Sequence, residues 1–258
     1  MSSPILLEAS GVTKYYGKFP ALSGVDLKVR ANTVHSVIGP NGAGKTTLFH
    51  MLTGTKSVSA GRIVFDGHDV TNEPDHRRVQ RGIARSFQIT SLFLSLSVRE
   101  NLRLAAQGVA PVMAMNCWHE PEGPRACAVT VAGVLAKLGL ESFAGTPAGN
   151  LSHGQQRRLE VGMALAARPK AIFLDEPTSG MGIDDLDEMK NLIKSLRDEL
   201  TVVLIEHNMN IVMDISDAVT VMQQGKVLAE GLPHDIRSDD RVRAAYLGNM
   251  MTGGKHDS

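Results

Sequence analysis

A glycine-rich loop stands between a predicted strand and a predicted helix early in the chain. It has the sequence Gly39-Pro-Asn-Gly-Ala-Gly-Lys-Thr46, follows the apolar run Thr33–Ile38 and precedes a helical pattern at Lys45–Leu52. Glycines let the backbone curl so that its N–H groups and a helix N-terminus form an anion-binding nest. The pattern predicts a phosphate-binding loop in an α/β core, with Lys45 at the β- and γ-phosphates and Thr46 offering a hydroxyl to Mg²⁺.

Apolar runs of strand length alternate with helical patterns along most of the chain. Several runs are continuous and bounded by Gly, Pro, Asn or Asp, which is typical of strands buried on both faces. The alternation predicts a parallel or mixed α/β fold, and Phe65–His68 and Met222–Lys226 are predicted hairpin turns. The predicted strands are Leu6–Ala9, Val25–Val29, Thr33–Ile38, Ile63–Phe65, Ala171–Leu174, Val202–Ile205, Ala218–Met222 and Lys226–Ala229, and the predicted helices are Lys45–Leu52, Gln155–Ala167 and Asp184–Leu200.

The stretch from about Val98 to Leu140 departs from this alternation. Because two segments rich in Pro and Gly interrupt it, at Gly108–Pro111 and Glu120–Pro124, we predict a small, mostly helical subdomain. This subdomain is predicted to be inserted at about residues 90–165 of a single domain over residues 5–248. Residues 249–258 are predicted to form a flexible tail.

The charge balance and the cysteine content narrow the possible partners. The chain has 27 basic and 27 acidic residues, so no strong field would draw it to nucleic acid or to an anionic membrane. Its 2 cysteines are too few for a disulfide framework or a cysteine-built metal site. The longest uncharged stretch, Leu104–Trp118, is shorter than the roughly 18 residues of a membrane-spanning helix. We therefore expect a soluble chain that reaches a membrane only through a partner.

Two adjacent carboxylates follow the apolar run Ala171–Leu174, in the order Asp175-Glu176-Pro177. Buried carboxylates at a strand end are costly unless they meet a cation or take part in chemistry. Strand alternation would point the two side chains in different directions. We expect Asp175 to reach Mg²⁺ and Glu176 to orient or deprotonate a water at the γ-phosphate. An exposed acidic turn is the alternative, which the phosphate loop disfavours.

Two further polar side chains follow apolar runs. Gln88 comes after Ile83–Phe87, and His207 comes after Val202–Glu206. Ligands of open α/β sheets bind where the strands end, so both residues are candidates for the same site.

The segment Leu151-Ser-His-Gly-Gln155 closely resembles the LSGGQ signature of ABC-type ATPases. With the phosphate loop, Gln88, Asp175-Glu176 and His207 in that order, the chain resembles an ABC transporter ATP-binding subunit over roughly Leu6–Leu247. The resemblance implies an α/β P-loop NTPase core of ABC type, an antiparallel β subdomain and a helical subdomain that bears the signature.

The resemblance also implies a dimer in which ATP lies between the phosphate loop of one subunit and the signature of the other. Tyr16 is similar to the aromatic residue that stacks on adenine, although Tyr15 is a rival and a core position is the alternative for Tyr16. The implied catalytic residues are Glu176, His207, Gln88 and Lys45, and the implied Mg²⁺ ligands are Thr46, Gln88 and Asp175. The implied nucleotide-binding residues are Tyr16, Gly39, Pro40, Asn41, Gly42, Ala43, Gly44, Lys45, Thr46, Thr47, Ser152, Gly154 and Gln155.

Two departures from the common ABC motifs resemble the sequences of one subfamily. His153 replaces the first signature glycine, and Ser179-Gly-Met-Gly182 replaces the usual loop after the catalytic glutamate. Together with Glu206–Met213 and the end segment Gly231–Gly248, they resemble importers of branched-chain and other hydrophobic amino acids, with relatives for urea and amides. The implied partners are a second ATPase subunit, identical or different, transmembrane permease subunits and, indirectly, a periplasmic or extracellular solute-binding protein. The implied location is peripheral, at the cytoplasmic face of the cell membrane.

Two other functions remain as alternatives. A non-transport ABC ATPase acting on ribosomes or DNA would fit the motifs, but the neutral charge suits nucleic acid poorly. A phosphate-loop kinase for a small molecule would leave Leu151–Gln155 unexplained.

Two groups of arginines are predicted to be solvated. Arg77, Arg78, Arg81 and Arg85 are predicted to lie on a helix face, with docking of a membrane subunit as the alternative. Arg157 and Arg158 are predicted to lie on the outer face of the signature helix.

Overall fold

The computed structural model describes residues 3–86, 92–108 and 124–252. The strands are β1 (Ile5–Tyr16), β2 (Phe19–Arg30), β3 (Val34–Ile38), β4 (Ala60–Phe65), β5 (His68–Asp69), β6 (Ile83–Arg85), β7 (Ala171–Asp175), β8 (Thr201–Ile205), β9 (Ala218–Gln223) and β10 (Lys226–Gly231). The helices are α1 (Lys45–Thr53), α2 (Asp75–Gln80), α3 (Val98–Gly108), α4 (Pro124–Leu138), α5 (His153–Ala166), α6 (Ile183–Leu196), α7 (Met209–Ile215), α8 (Pro233–Ser238) and α9 (Asp240–Thr252).

The chain divides into two compact units. The terminal unit comprises Met1–Asp75 and Leu196–Ser258, and the middle unit comprises His76–Ser195. Each unit contains a different set of the candidate residues.

The terminal unit contains an antiparallel sheet with the strand order β2-β1-β4-β5. Alternate residues of β2 are buried, among them Leu22, Val25, Leu27 and Val29, as expected for strands with one face on the core. The register of β1 against β2 shifts between Ala9 and Val12. This shift allows pairing to continue past the predicted strand Leu6–Ala9 and explains why β1 is longer than expected.

The terminal unit also contains the strands β10, β9, β3 and β8, in that order. β3 pairs in parallel with β8 and with β9, while β9 and β10 form an antiparallel hairpin. All residues of β3 and of β8 are buried, which matches the continuous apolar runs seen in the sequence. The phosphate loop therefore begins where a fully buried strand ends.

The middle unit combines the parallel pair β6–β7 with a helical layer of α3, α4 and α5. The close approach of α4 and α5 depends on Gly162, where a Cβ atom would lie 2.3 Å from Leu138 Cδ1. The predicted mixed α/β fold, with an antiparallel part and a helical part, is confirmed. The subdomain limits of about 90–165 stay a prediction.

Some predicted boundaries differ from the structure. Helix α6 ends at Leu196 rather than at Leu200, because the N–H groups of Glu199 and Leu200 both bond to the Leu196 carbonyl in a turn. Helix α9 extends to Thr252, and the flexible tail at residues 249–258 stays a prediction. Among the described residues, no helix combines the length and the hydropathy needed to cross a membrane.

Candidate active-site residues

The backbone of the phosphate loop requires glycine at two positions. Gly39 has a φ of 147°, and a Cβ atom there would lie 2.2 Å from the Met222 carbonyl oxygen. Gly44, the N-cap of α1, has a φ of 98°, and its Cβ would lie 2.9 Å from the Ala21 carbonyl oxygen. These are left-handed conformations with no room for a side chain, so the local sequence determines the curl of the loop.

The β9–β10 hairpin and β2 hold the loop from outside. The N–H of Gly225 donates to the Ala43 carbonyl at 3.0 Å, and the Gly225 carbonyl accepts from the N–H of Ser23 at 2.9 Å. Asn41 and Gly42 at the tip are exposed, whereas Thr46 and Thr47 in the first turn of α1 are half-buried.

Lys45 points its ammonium group into the loop. Its Nζ donates to the Gly39 carbonyl at 2.7 Å and to the Pro40 carbonyl at 3.2 Å, and the residue is 8% exposed. A buried ammonium is stable only with partners of this kind. The contacts place a positive charge at the loop, as the sequence predicted, while its phosphate-binding role stays a prediction.

Tyr16 lies on the surface at the end of β1 in the same unit. The residue is 42% exposed, and the Nζ atoms of Lys14 and Lys56 lie 5.6 and 5.1 Å from the centroid of its ring. A core position for Tyr16 is therefore wrong. Since Tyr15 is 51% exposed, either ring is accessible for stacking, and the adenine-binding role of Tyr16 stays a prediction.

His207 is exposed at the end of β8, also in the terminal unit. Its backbone N–H donates to Glu206 Oε2 at 3.3 Å, and Glu206 itself is fully buried. Asn208 caps α7, since its side-chain oxygen accepts from the N–H of Asn210 at 3.0 Å. These contacts fix the backbone on both sides of His207 and leave its imidazole accessible.

The carboxylate pair lies in the middle unit. The Asp175 side chain is 1% exposed, and its Oδ2 lies 3.6 Å from Nη2 of Arg85. Glu176 is half-buried with a φ of 49°, so the chain enters a left-handed turn directly after β7. The predicted strand alternation across the pair is therefore wrong, because the strand ends between the two residues.

Ser152 is the N-cap of α5. The N–H of Gln155 donates to Ser152 Oγ at 3.2 Å, and the N–H of Ser152 donates to Gln155 Oε1 at 2.9 Å, which together form a capping box. Gly154 is buried, and a Cβ atom there would lie 2.0 Å from Asp185 Cγ. The first turn of α5 thus presents backbone N–H groups at a helix N-terminus that packs closely on α6.

The two departures from the common motif are neighbours in the middle unit. A Cβ atom at Gly180, which has a φ of 74°, would lie 3.4 Å from Cε1 of His153. The imidazole therefore lies over the loop Ser179–Gly182, where glycine leaves room for it.

Five arginines that were predicted to be solvated are buried or half-buried, namely Arg78, Arg81, Arg85, Arg157 and Arg158, and Arg85 lies in β6 rather than on a helix. Arg158 is 7% exposed and forms ion pairs with Glu188 and, at 3.9 Å, with Asp185. Arg157 is half-buried and pairs with Glu160 at 2.9 Å, and Arg78 is only 1% exposed. The predicted outer face is wrong for Arg158 because acidic residues of α6 attract its guanidinium into the helix interface.

Gln88 lies outside the described residues, as do residues 109–123 of the Pro/Gly-rich insert. Within the part of the chain that the structure describes, no group of three or more His, Cys, Asp and Glu side chains could hold a metal ion. The predicted ligands Thr46 and Asp175 offer a hydroxyl and a carboxylate, which are oxygen donors of the kind that Mg²⁺ binds while it keeps several waters. The chemistry of each donor, taken singly, therefore fits a Mg²⁺ ion that also binds phosphate oxygens.

Two family profiles and several known proteins are similar to this chain. The ABC transporter family profile matches residues 22–179, and the profile of the branched-chain amino acid ATP-binding cassette transporter matches residues 226–250. The chain is 41% identical over 256 residues to the high-affinity branched-chain amino acid transport ATP-binding protein BraF of Pseudomonas aeruginosa, covering 96% of this chain and 99% of BraF.

Solved structures give the same result. The structure of MJ1267, an ATP-binding cassette of an ABC transporter, in its ADP conformation superposes with a TM-score of 0.85. Its sequence is 31% identical to this chain, and the match covers 95% of this chain and 100% of the MJ1267 chain. A dimeric post-hydrolysis state of the cassette MJ0796 with ADP and Pi is 25% identical, has a TM-score of 0.74, and covers 88% of this chain and 99% of its own. The chain belongs to the ATP-binding subunits of ABC transporters and is an ATPase cassette.

Proposed function

We propose that this chain energises an importer of branched-chain amino acids by binding and hydrolysing ATP. The observation that carries the proposal is the match of residues 226–250 to the branched-chain amino acid transporter profile. The near full-length similarity to BraF supports the same solute class. In the structure the matched segment forms β10, α8 and most of α9, a folded part of the terminal unit.

The phosphate loop is proposed to bind the triphosphate. The loop amides and the N-terminus of α1 complement negative charge. Lys45 is proposed to exchange its loop carbonyl partners for the β- and γ-phosphates, and Thr46 and Thr47 stand in the first turn of α1. The exposed ring of Tyr16 is proposed to stack on adenine, and the two nearby ammonium groups add positive charge at its edge.

Glu176 is proposed to act as the general base. Its left-handed φ turns the backbone out of β7, so its carboxylate need not follow the buried side chains of the strand. A carboxylate that orients water for in-line attack on the γ-phosphate contributes through position and proton acceptance. His207 is proposed to contact the γ-phosphate with its accessible imidazole.

Thr46, Asp175 and Gln88 are proposed to hold Mg²⁺ together with phosphate oxygens. The ion would neutralise the charge that develops on the transferred phosphoryl group. Asp175 suits this role because its buried carboxylate lies at the end of a strand.

The signature is proposed to complete the nucleotide site of a second copy. Ser152 uses one oxygen lone pair for its cap, and its O–H remains available as a donor. Ser152, Gly154 and Gln155 would face the γ-phosphate at the N-terminus of α5, where negative charge is favoured. The chain is proposed to dock on transmembrane permease subunits at the cytoplasmic face of the membrane, with a solute-binding protein acting through the permease.

Uptake by cells tests the proposed solute. In the organism of origin, the gene is replaced by a Lys45→Ala allele, and uptake of labelled leucine and of labelled urea is measured in parallel. The proposal predicts that leucine uptake falls while urea uptake is unchanged. Unchanged leucine uptake with lost urea uptake would overturn it in favour of a urea or amide importer.

A further inference from the structure

Tyr246 of α9 is half-buried, with its hydroxyl beside the first glycine of the phosphate loop. Burial raises the pKa of its phenol to about 12, and the backbone of Gly39 partly offsets this effect. The hydroxyl oxygen is inaccessible to solvent, and no group among the described residues meets full hydrogen-bond geometry with it. A buried hydroxyl without a hydrogen bond destabilises the fold. Its position beside Gly39 therefore suggests a role other than stability.

An apolar cluster holds the Tyr246 ring in this place. Ile38, the last residue of β3, is buried together with Ile236 of α8 and Val242 of α9, and Tyr246 packs against them. The C-terminal helices therefore contact the strand from which the phosphate loop emerges. Packing of this density leaves the ring little freedom to move away.

Gly39 can transmit a displacement to the charged group of the loop. Its φ of 147° and the Met222 carbonyl oxygen, which a Cβ atom would meet at 2.2 Å, restrict this position to glycine. Its carbonyl accepts from Lys45 Nζ at 2.7 Å. A shift of Gly39 would therefore also move the ammonium group that is proposed to meet the phosphates.

We propose that Tyr246 is a positioning residue for ATP binding. It acts on the phosphate loop through Gly39, and in this way the C-terminal segment supports the nucleotide site. This inference rests on the proposed ATP-binding role of the loop. The group proposed to act is the Tyr246 hydroxyl, which lies beside the backbone of Gly39. Because Tyr246 is proposed to act through Gly39, its effect should fall on affinity rather than on the chemical step.

Substitution of Tyr246 with phenylalanine isolates the hydroxyl. Calorimetric binding of ADP and steady-state hydrolysis of ATP are measured for wild type, Tyr246→Phe and Val242→Ala, with thermal unfolding of each. We expect Tyr246→Phe to raise the Kd for ADP and the KM for ATP about threefold to tenfold, with kcat within about twofold, because it removes the polar group beside the Gly39 backbone. Its midpoint of thermal unfolding should stay the same or rise, since the ring and its packing remain.

Val242→Ala is the matched control in the same helix and the same cluster. It should lower the midpoint of unfolding and raise the KM for ATP less than Tyr246→Phe does, because the hydroxyl of Tyr246 is retained. Two results would overturn the inference: wild-type KM and Kd in Tyr246→Phe, or the same rise of KM in both variants, which would indicate general loosening of the cluster. A wild-type protein that binds no nucleotide would instead overturn the proposed function.

Discussion

The guanidinium of Arg85 lies 3.6 Å from the carboxylate of Asp175, with side-chain exposures of 13% and 1%. In the parallel pair β6–β7, Arg85 is in register with Phe173, so the arginine reaches along the neighbouring strand to its last residue. A largely buried cation next to a buried anion reduces the desolvation penalty of both. Arg85 thus places a positive charge beside the carboxylate that is proposed to face Mg²⁺.

Removal of Arg85 should therefore destabilise the fold. We expect Arg85→Ala to lower the free energy of unfolding by about 1–3 kcal/mol, because a buried carboxylate loses one of its partners. Urea denaturation measures this change, and Arg77→Ala, which removes an exposed arginine of α2, is the control with an effect below about 0.5 kcal/mol. Equal effects of the two substitutions would show that the Arg85 contact is unimportant for stability.

Two glycines of the phosphate loop should differ in their tolerance of alanine. At Gly39 a Cβ atom would lie 2.2 Å from a backbone carbonyl oxygen, whereas at Gly42 nothing lies within 4 Å. We expect Gly39→Ala to cost at least about 3 kcal/mol of stability, since the clash adds to the strain of the left-handed backbone. Gly42→Ala should cost only the strain, about 1–2 kcal/mol. Denaturation of both variants measures the difference, and similar costs would refute the described conformation.

His35 should make stability depend on pH. Burial lowers its pKa from 6.5 to about 4, and its Nε2 lies 2.8 Å from Thr220 Oγ1. The folded state therefore favours the neutral ring, and its contribution is fully present above pH 6.5 and is lost as the pH falls towards 4. Between about pH 7.5 and about pH 5 the loss should be about 2 kcal/mol.

The substitution His35→Gln separates the effect of His35 on the pH dependence of stability from that of Glu230. Burial raises the pKa of Glu230, so its own contribution rises as the pH falls and opposes that of His35. Because His35→Gln retains Glu230, the difference between the pH profiles of wild type and His35→Gln reports His35 alone. Parallel profiles would mean that His35 does not titrate differently in the folded and unfolded states.

Glu176→Gln should separate ATP binding from hydrolysis. The amide keeps the shape of the side chain but cannot accept a proton, so kcat should fall by a factor of about 100 to 10,000. ATP binding should be retained, because the phosphate loop is unaltered. Single-turnover phosphate release and equilibrium nucleotide binding measure the two quantities. Rapid steady-state hydrolysis by this variant would contradict the role of Glu176 as the base.

The residues that could be predicted from the sequence carry their own local structural signal. The phosphate loop is recognisable because Gly39 and Gly44 are required by the backbone itself, and Ser152 and Gln155 have the spacing of a capping box. The buried strands β3 and β8 are continuous apolar runs. In each case the physical cause lies within a few residues of the feature.

Other features depend on residues far apart in the chain. Arg158 is buried because Asp185 and Glu188 of α6 pair with it, and no spacing rule relates the two helices. The turn that places Glu176 in a left-handed conformation interrupts the alternation on which its orientation was predicted. The contact between Tyr246 and Gly39 also joins distant segments, and only the packing of α9 reveals it.

The central claim is that each copy completes the nucleotide site of the other through Ser152. Two substitutions test it in the Glu176→Gln background, where bound ATP should not be consumed. Aspartate and asparagine are both good N-cap residues of similar shape, so both variants should keep α5 folded. Only aspartate would place a negative charge against the γ-phosphate.

The deciding measurement is the molar mass of these proteins in solution with and without Mg·ATP. We expect the variants Glu176→Gln and Glu176→Gln/Ser152→Asn to double their molar mass when Mg·ATP is added, whereas Glu176→Gln/Ser152→Asp should stay monomeric. If the Ser152→Asp protein dimerises with Mg·ATP as readily as the Ser152→Asn protein, the shared nucleotide site is contradicted.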